Sequence, residues 1–220
     1  MENIKKKGAL FDMDGTLIDT EMLYRRFWRE GVEARGGVFA PDFLRDIGGT
    51  SGQYTLDVIH RYYPFIDGDE LRLSVRARVN AEIREHIPEK KGLHELLHFL
   101  KENGFKIALA TASAHERIDA FVAGAHLENV FDAILSGQDL TKSKPDPEIF
   151  IKAAEALGLA PEECYVFEDG VNGVQAGGAA GCDTIMIPDI VPPTEAEEAI
   201  CVGIYHDLLE VLEAIKTGEI

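Results

Sequence analysis

Two carboxylates one residue apart follow a short apolar run in "GALFDMDGTLIDTE", residues 8–21: Asp12 and Asp14, with Asp19 a little further on. Three other stretches bring polar groups to the ends of apolar runs. Thr111 and Ser113 follow "KIALA", Lys144 stands in "TKSKPDPEIF", and Glu168 and Asp169 close "CYVFED". Together they supply carboxylates, hydroxyls and one ammonium, a set suited to phosphoryl transfer. Carboxylates from two strand ends can hold Mg²⁺, a hard cation that takes oxygen ligands and keeps several waters. Such a metal would relieve the repulsion among the acids and bridge them to a phosphate. Lys144 adds positive charge near the transferring group. Thr111, and backbone N–H groups in the turns after Asp12 and Thr111, can donate hydrogen bonds to it. One carboxylate could attack phosphorus and form an aspartyl phosphate. The residue types alone leave open which acid attacks.

These groups meet only if their strand ends share one edge of a sheet. From Lys91 onward, helical and strand patterns alternate. "GLHELLHFLKENG", "SAHERIDAFVAGAHL", "DPEIFIKAAEALGL", the Gly-rich "GVNGVQAGGAAG" and "HDLLEVLEAIKTG" read as helices, the last capped by Asp207 with Glu210. "FKIALAT", "FDAILSG", "CYVFED" and "CDTIMIP" read as buried strands. Alternation of this kind implies parallel pairing, so the fold class is α/β: a Rossmann-like, doubly wound parallel sheet. The strand at 8–12 belongs to it. Between Asp19 and His86 the pattern is helical throughout, in "TEMLYRRFWREGVEARGG", "SGQYTLDVIHRYY" and "DGDELRLSVRARVNAEIREHI". The expected organisation is therefore a catalytic core of residues 1–18 and 89–220 with an inserted helical cap at 19–88. Ligands of open α/β sheets bind at the carboxyl ends of the strands, where such a cap would lie. "PDIVPPTEAEEA" reads as a Pro-rich loop followed by a helical turn capped by Thr194 with Glu197.

"FDMDGTLIDTE", "ATAS", "KPDPEIF" and "FEDGVNGVQAG", in that order, resemble the motifs of the haloacid dehalogenase superfamily. The branch most resembled is the β-phosphoglucomutase-like phosphatases, which carry a helical cap after the first motif. The resemblance implies that Asp12 is the nucleophile. It implies that Asp14 protonates the leaving oxygen and then activates water. Asp12, the Asp14 backbone carbonyl and Asp169 would bind Mg²⁺, with Glu168 in or just outside that shell. Thr111, Ala112 and Lys144 would hold the phosphate. Dehalogenases of the superfamily lack the second aspartate, because a halide leaves without a proton, so Asp14 argues for a phosphate ester.

Specificity would rest on the cap. Candidate substrate contacts are Ser113, Tyr24, Arg45, Thr50, Gln53 and Arg76. The mutase itself carries a cap arginine after a Gly-containing loop and a histidine soon after the first motif. Gly52 and Tyr24 stand at those places here. The expected function is thus a Mg²⁺-dependent phosphomonoesterase acting on a small phosphorylated metabolite of the sugar-phosphate kind. The alternatives are β-phosphoglucomutase and, from another class, a non-catalytic phosphate- or metal-binding regulator. Phosphonate cleavage through a Schiff base needs a cap lysine, and no lysine occurs between Lys7 and Lys90.

Composition bounds the partners. A net charge of −17 over 220 residues disfavours binding to nucleic acid or an anionic membrane, since both are polyanions. No segment approaches the roughly 18 apolar residues of a membrane span. The apolar stretch after the basic start is cut by Asp12, too short for a signal peptide. Three cysteines, Cys164, Cys182 and Cys201, form no CxxC pair; Cys164 and Cys182 read as core residues, and the protein as reduced and cytoplasmic. A monomer is expected. "HELLH" at 94–98 matches a zinc-protease pattern, but Leu93, Leu96, Leu97 and Leu100 make that helix an ordinary sheet-packing one.

Overall fold

The computed structural model describes residues 6–48, 50, 52–189 and 192–220. Strand β1 (Gly8–Phe11) is followed by four helices: α1 (Thr20–Glu33), α2 (Pro41–Ile47), α3 (Gly52–Tyr62) and α4 (Gly68–Glu85). The chain then alternates through α5 (Leu93–Glu102), β2 (Lys106–Thr111), α6 (His115–Gly124), β3 (Ala133–Ser136) and α7 (Glu148–Leu157). It ends with β4 (Cys164–Glu168), α8 (Val171–Ala180), β5 (Asp183–Met186), α9 (Glu195–Ile200), β6 (Cys201–Ile204) and α10 (Leu208–Thr217).

All six strands are parallel, in the order β3-β2-β1-β4-β5-β6. This is the Rossmann-like, doubly wound α/β sheet. Strand β1 is central and every residue of "GALF" is buried, as a strand covered by helices on both faces requires. The chain steps outward one way through β2 and β3 and the other way through β4, β5 and β6. The strand order therefore reverses beside β1, and a crevice opens at that point. Register aims the site. Phe11 pairs with Leu109 of β2 and Phe167 of β4, and the Phe11 and Phe167 rings stack at 4.2 Å. The residues that follow, Asp12 and Glu168, consequently leave the sheet side by side.

Helices α1 to α4 sit between β1 and the rest of the sheet. The chain leaves and returns through adjacent segments: Ile18 bridges Glu89 in antiparallel fashion, and the Asp19 N–H donates to the Pro88 carbonyl at 2.6 Å. Asp19 caps α1 by accepting the Met22 N–H at 3.1 Å, and Asp67 caps α4 in the same way. Leu71, Val75, Val79 and Ile83 form the buried stripe of α4, which packs on α1. An aromatic cluster of Trp28, Phe43, Tyr62 and Tyr63 fills the outer helical part.

Two elements were not foreseen. Helix α2 is seven residues long, too short to show a helical period, and β6, "CVGI", pairs with β5 across an irregular register. The Pro-rich loop is expected across Ile190 and Val191, which lie outside the described residues. The Thr194–Glu197 capping box and the Asp207 cap of α10 are both present. In the helix that carries "HELLH", Leu93, Leu96, Leu97 and Leu100 are buried, while His94 pairs with Glu89 and His98 with Glu102, each at 3.2 Å. The two imidazoles are thus engaged separately. Cys164 and Cys182 are buried and Cys201 half-buried, all as free thiols. Among the described residues, no helix is long and apolar enough to cross a membrane.

Candidate active site

The floor of the crevice is a buried charge cluster. Asp12 continues the β1 ladder, its N–H donating to the Phe167 carbonyl at 3.0 Å. Lys144 enters from the loop before α7 and donates to Asp12 Oδ1 at 2.5 Å, Glu168 Oε1 at 2.6 Å and the Ala110 carbonyl at 3.1 Å. Glu168 also accepts the N–H groups of Asp169 and Gly170 at 3.1 and 3.3 Å, which fixes the turn into α8. Asp169 lies beside them, and its only side-chain bond among the described residues is with Thr16, at 3.5 Å.

Three acids, Asp12, Glu168 and Asp169, stand around one lysine, so negative charge is in excess. Burial pushes the Asp12 carboxyl up to about 7; Glu168 and Asp14 add to this, and Lys144 opposes it. Burial also holds Asp169 well above the usual carboxylate range, with Glu168 and Asp12 adding to the effect. Burial alone would lower Lys144, but Asp12 and Glu168 outweigh it and keep the ammonium charged. Among the described residues, no three His, Cys, Asp or Glu side chains stand at ready-made metal spacing, and Lys144 bridges Asp12 and Glu168. The donor set nevertheless fits a hard dication: it is all oxygen, buried, and short of positive charge. Two glycines keep this space clear. A Cβ on Gly15, whose φ is +88°, would collide with the Asp169 carboxylate, and one on Gly173 would collide with that of Glu168.

Asp14 lines a cavity of about 650 Å³ between the sheet edge and the inserted helices. Ser113 Oγ donates to Asp14 Oδ2 at 2.6 Å, and the Arg117 guanidinium of α6 donates to Oδ1. Burial opposes the charge of Arg117, but Asp14, Tyr24 and Asp12 together outweigh it and hold the group protonated. Thr111 is buried at the end of β2 and its Oγ1 accepts the Ser113 N–H at 3.1 Å, which shapes the turn containing Ala112.

The structure thus brings Asp12, Lys144, Glu168 and Asp169 together, with Asp14, Thr111, Ala112 and Ser113 alongside. Of the expected cap contacts, Tyr24, Thr50 and Arg76 line the cavity. Arg45 and Gln53 do not. Arg45 is exposed and engaged with Asp42 and Asp46, and Gln53 is exposed and donates to Asp57 at 3.0 Å. Arg45 stands on the seven-residue α2, and Gln53 is in the first turn of α3, whose buried residues are Thr55, Val58 and Ile59. Gly52 does face the cavity, with open space where a side chain would begin. Its neighbours Gly49 and Ser51 in the "IGGTSGQY" loop lie outside the described residues.

Sequence reasoning missed Arg117, although it stands one turn into the helix after "ATAS". It also missed Glu21, Arg72, Asn80 and Arg84 in the cavity wall. Burial, with Asp189 and Asp19 nearby, raises the Glu21 carboxyl to about 7 against the pull of Arg25 and Lys90. The spacing of Arg72, Arg76, Asn80 and Arg84 was a signal that could have been read.

A family model described as a hydrolase, haloacid dehalogenase-like hydrolase, matches residues 6–181. A phosphorylated carbohydrates phosphatase of Thermotoga maritima is 33% identical over 183 residues, 81% of this chain and 83% of that one. Hexitol phosphatase B of Escherichia coli K12 is 32% identical over 184 residues, 82% of this chain and 83% of its own. Among solved structures, CbbY from Rhodobacter sphaeroides, in complex with phosphate, superposes with a TM-score of 0.74 at 26% identity, covering 94% of this chain and 96% of that one.

Proposed function

This chain belongs to the haloacid dehalogenase-like hydrolases, and on that premise we propose that it is a Mg²⁺-dependent phosphomonoesterase of a small phosphorylated metabolite, of the sugar-phosphate class. The observation that carries the reading is the convergence of Asp12, Lys144 and Glu168 at 2.5–2.6 Å, with Asp12 two residues from Asp14, which lines the cavity. Two relatives named for carbohydrate and hexitol phosphates support the substrate class.

Asp12 attacks phosphorus, the ester P–O bond breaks, and an aspartyl phosphate forms on Asp12. Asp14 gives its proton to the leaving oxygen, then takes one from the water that attacks the aspartyl phosphate. Lys144, Thr111 and the backbone N–H groups of Ala112 and its neighbours face the charge that develops on the phosphoryl oxygens. Asp12, the Asp14 carbonyl and Asp169 would hold Mg²⁺, with Glu168 beside them. When bound, the ion neutralises the acids and polarises the phosphoryl group.

Residues 19–88 act as the specificity cap over a core of residues 1–18 and 89–220. Gly52 and Tyr24 in the cavity wall favour hydrolysis over the mutase reaction, since neither supplies the second phosphate ligand that a bisphosphate intermediate needs at those places. We take the protein to be cytoplasmic and monomeric; sedimentation at the mass of one chain tests the latter. Release of inorganic phosphate from a panel of sugar phosphates tests the activity. Turnover that needs Mg²⁺ and is abolished in a folded Asp12→Asn variant is expected. Undiminished turnover in that variant contradicts the assignment, and phosphate binding without turnover in the native protein would identify the regulator instead.

A further inference from the structure

The cavity wall carries four arginines in a chain whose net charge is −17. Three of them, Arg72, Arg76 and Arg84, come with Asn80 from α4. Their spacing of four places them on one stripe of the helix, beside the buried apolar stripe Leu71, Val75, Val79 and Ile83. At about 1.5 Å per residue the stripe runs roughly 18 Å from Arg84 to Arg72. Its lower end is tied to the sheet edge, because Arg84 pairs with Glu116 of α6, the neighbour of Arg117. From Asp14 the stripe therefore leads outward through Asn80 to Arg76 and Arg72.

The lower cations have ion-pair partners: Arg117 has Asp14 and Arg84 has Glu116, although Arg117 Nε is buried with no hydrogen-bond partner among the described residues. Of the outer ones, Arg72 is paired with Asp69, and Arg76 has no ion pair among the described residues. Arg72 gives Nη2 to Asp69 at 2.9 Å, while its Nε is buried with no hydrogen-bond partner among the described residues. Asn80 Oδ1 is buried and unpartnered in the same sense. Arg76 makes no ion pair among the described residues, although it stands one turn from each of these two. Unpaired buried donors and acceptors cost free energy until a ligand satisfies them. A neutral polyol could serve Asn80 but would leave the Arg76 guanidinium without a counter-charge. A guanidinium fork matches a carboxylate or a phosphate.

We propose that the metabolite carries a second anionic group, a carboxylate or a second phosphate, at the end remote from its ester, and that Arg72 and Arg76 hold that group while Asn80 accepts a hydrogen bond from a hydroxyl between the two ends. The placement of the ester end rests on the phosphomonoesterase reading.

The test compares kcat/KM for an aldose phosphate, the matching aldonic acid phosphate and the matching sugar bisphosphate, with p-nitrophenyl phosphate as a compact reference ester. The native enzyme is expected to prefer one of the two second-anion substrates over the aldose phosphate by about tenfold or more. Whichever of the two is preferred identifies the anion. In an Arg72→Ala, Arg76→Ala double variant this ratio falls towards one, mostly through KM, and Arg76→Lys retains part of it. The ratio is internal to each preparation, so partial loss of fold cancels. Hydrolysis of p-nitrophenyl phosphate with no preference between the sugar substrates overturns the second-anion inference and leaves the phosphomonoesterase reading standing. If no ester is hydrolysed, that reading fails instead. Calorimetric binding of the aldonic acid phosphate against the aldose phosphate, in native and double-variant protein, then decides the inference alone: equal affinities overturn it.

Discussion

Lys144 Nζ stands 2.5 Å from Asp12 Oδ1, and both side chains are about nine-tenths buried. This contact joins the loop before α7 to the end of the central strand, and the same ammonium reaches Glu168 at 2.6 Å. Removing it leaves Asp12, Glu168 and Asp169 as buried acids without a cation. Lys144→Met is expected to lower kcat by about 10²–10³-fold. It should also destabilise the metal-free protein by about 3–5 kcal/mol, as breaking a buried pair does. Urea unfolding with and without Mg²⁺ checks both parts, because a dication should restore more stability to the variant than to the native chain.

Gly173 and Gly15 guard the acids from behind. Gly173→Ala places a methyl group on the Glu168 carboxylate, and Gly15→Ala does the same to Asp169 while forcing a side chain to φ +88°. Each should weaken Mg²⁺ affinity by about tenfold or more, as displacement of groups around a metal does. Calorimetric titration of Mg²⁺ reads this directly. Unchanged affinity in both variants would separate these acids from the metal.

Ser113 and Arg117 fix the Asp14 carboxylate from two sides. Ser113→Ala frees one oxygen of the proposed acid without touching Asp12 or Lys144. The expected loss is about tenfold in kcat, the lower end of what a positioned proton donor contributes. Steady-state kinetics should show this fall with KM changed less.

Glu21 gives the fold a pH dependence of unusual sign. Its carboxyl is raised from 4.5 to about 7, chiefly by burial. Between those values the native protein keeps a proton that the unfolded chain has lost. Stability contributed by this site therefore falls as pH rises through that window, and the penalty is complete above it. Glu21→Gln removes the penalty. Because Glu21 is partly open to solvent, the gain expected at pH ~8 is about 1–2 kcal/mol, vanishing near pH ~4. Urea unfolding of metal-free native and variant protein at both pH values checks the sign.

The core of this fold was legible because its signals are local and repeated. "GALF", "IALA" and "CYVF" are apolar runs, as in central parallel strands, and each is followed by the polar residues that form the site. The cap was half legible. The Leu71 to Ile83 stripe announced α4, and the spacing of Arg72, Arg76, Asn80 and Arg84 put them on one stripe beside it, yet the period did not say that this stripe would line a cavity while Arg45 and Gln53 would face solvent. Those orientations come from how helices α1 to α4 pack on one another and over the sheet. Arg117 was hidden for a related reason. Its partner Asp14 is 103 residues away in sequence and meets it only because β1 and β2 are neighbours.

The central claim is that Asp12 carries the phosphoryl group. Borohydride reduction of an acid-quenched reaction converts an aspartyl phosphate to homoserine, which peptide mass spectrometry can locate. With a turned-over sugar phosphate and Mg²⁺, homoserine should appear at position 12, and it should be absent without Mg²⁺ and in Asp12→Asn. Steady phosphate release with position 12 unmodified, or with the modification at another acid, would contradict the account.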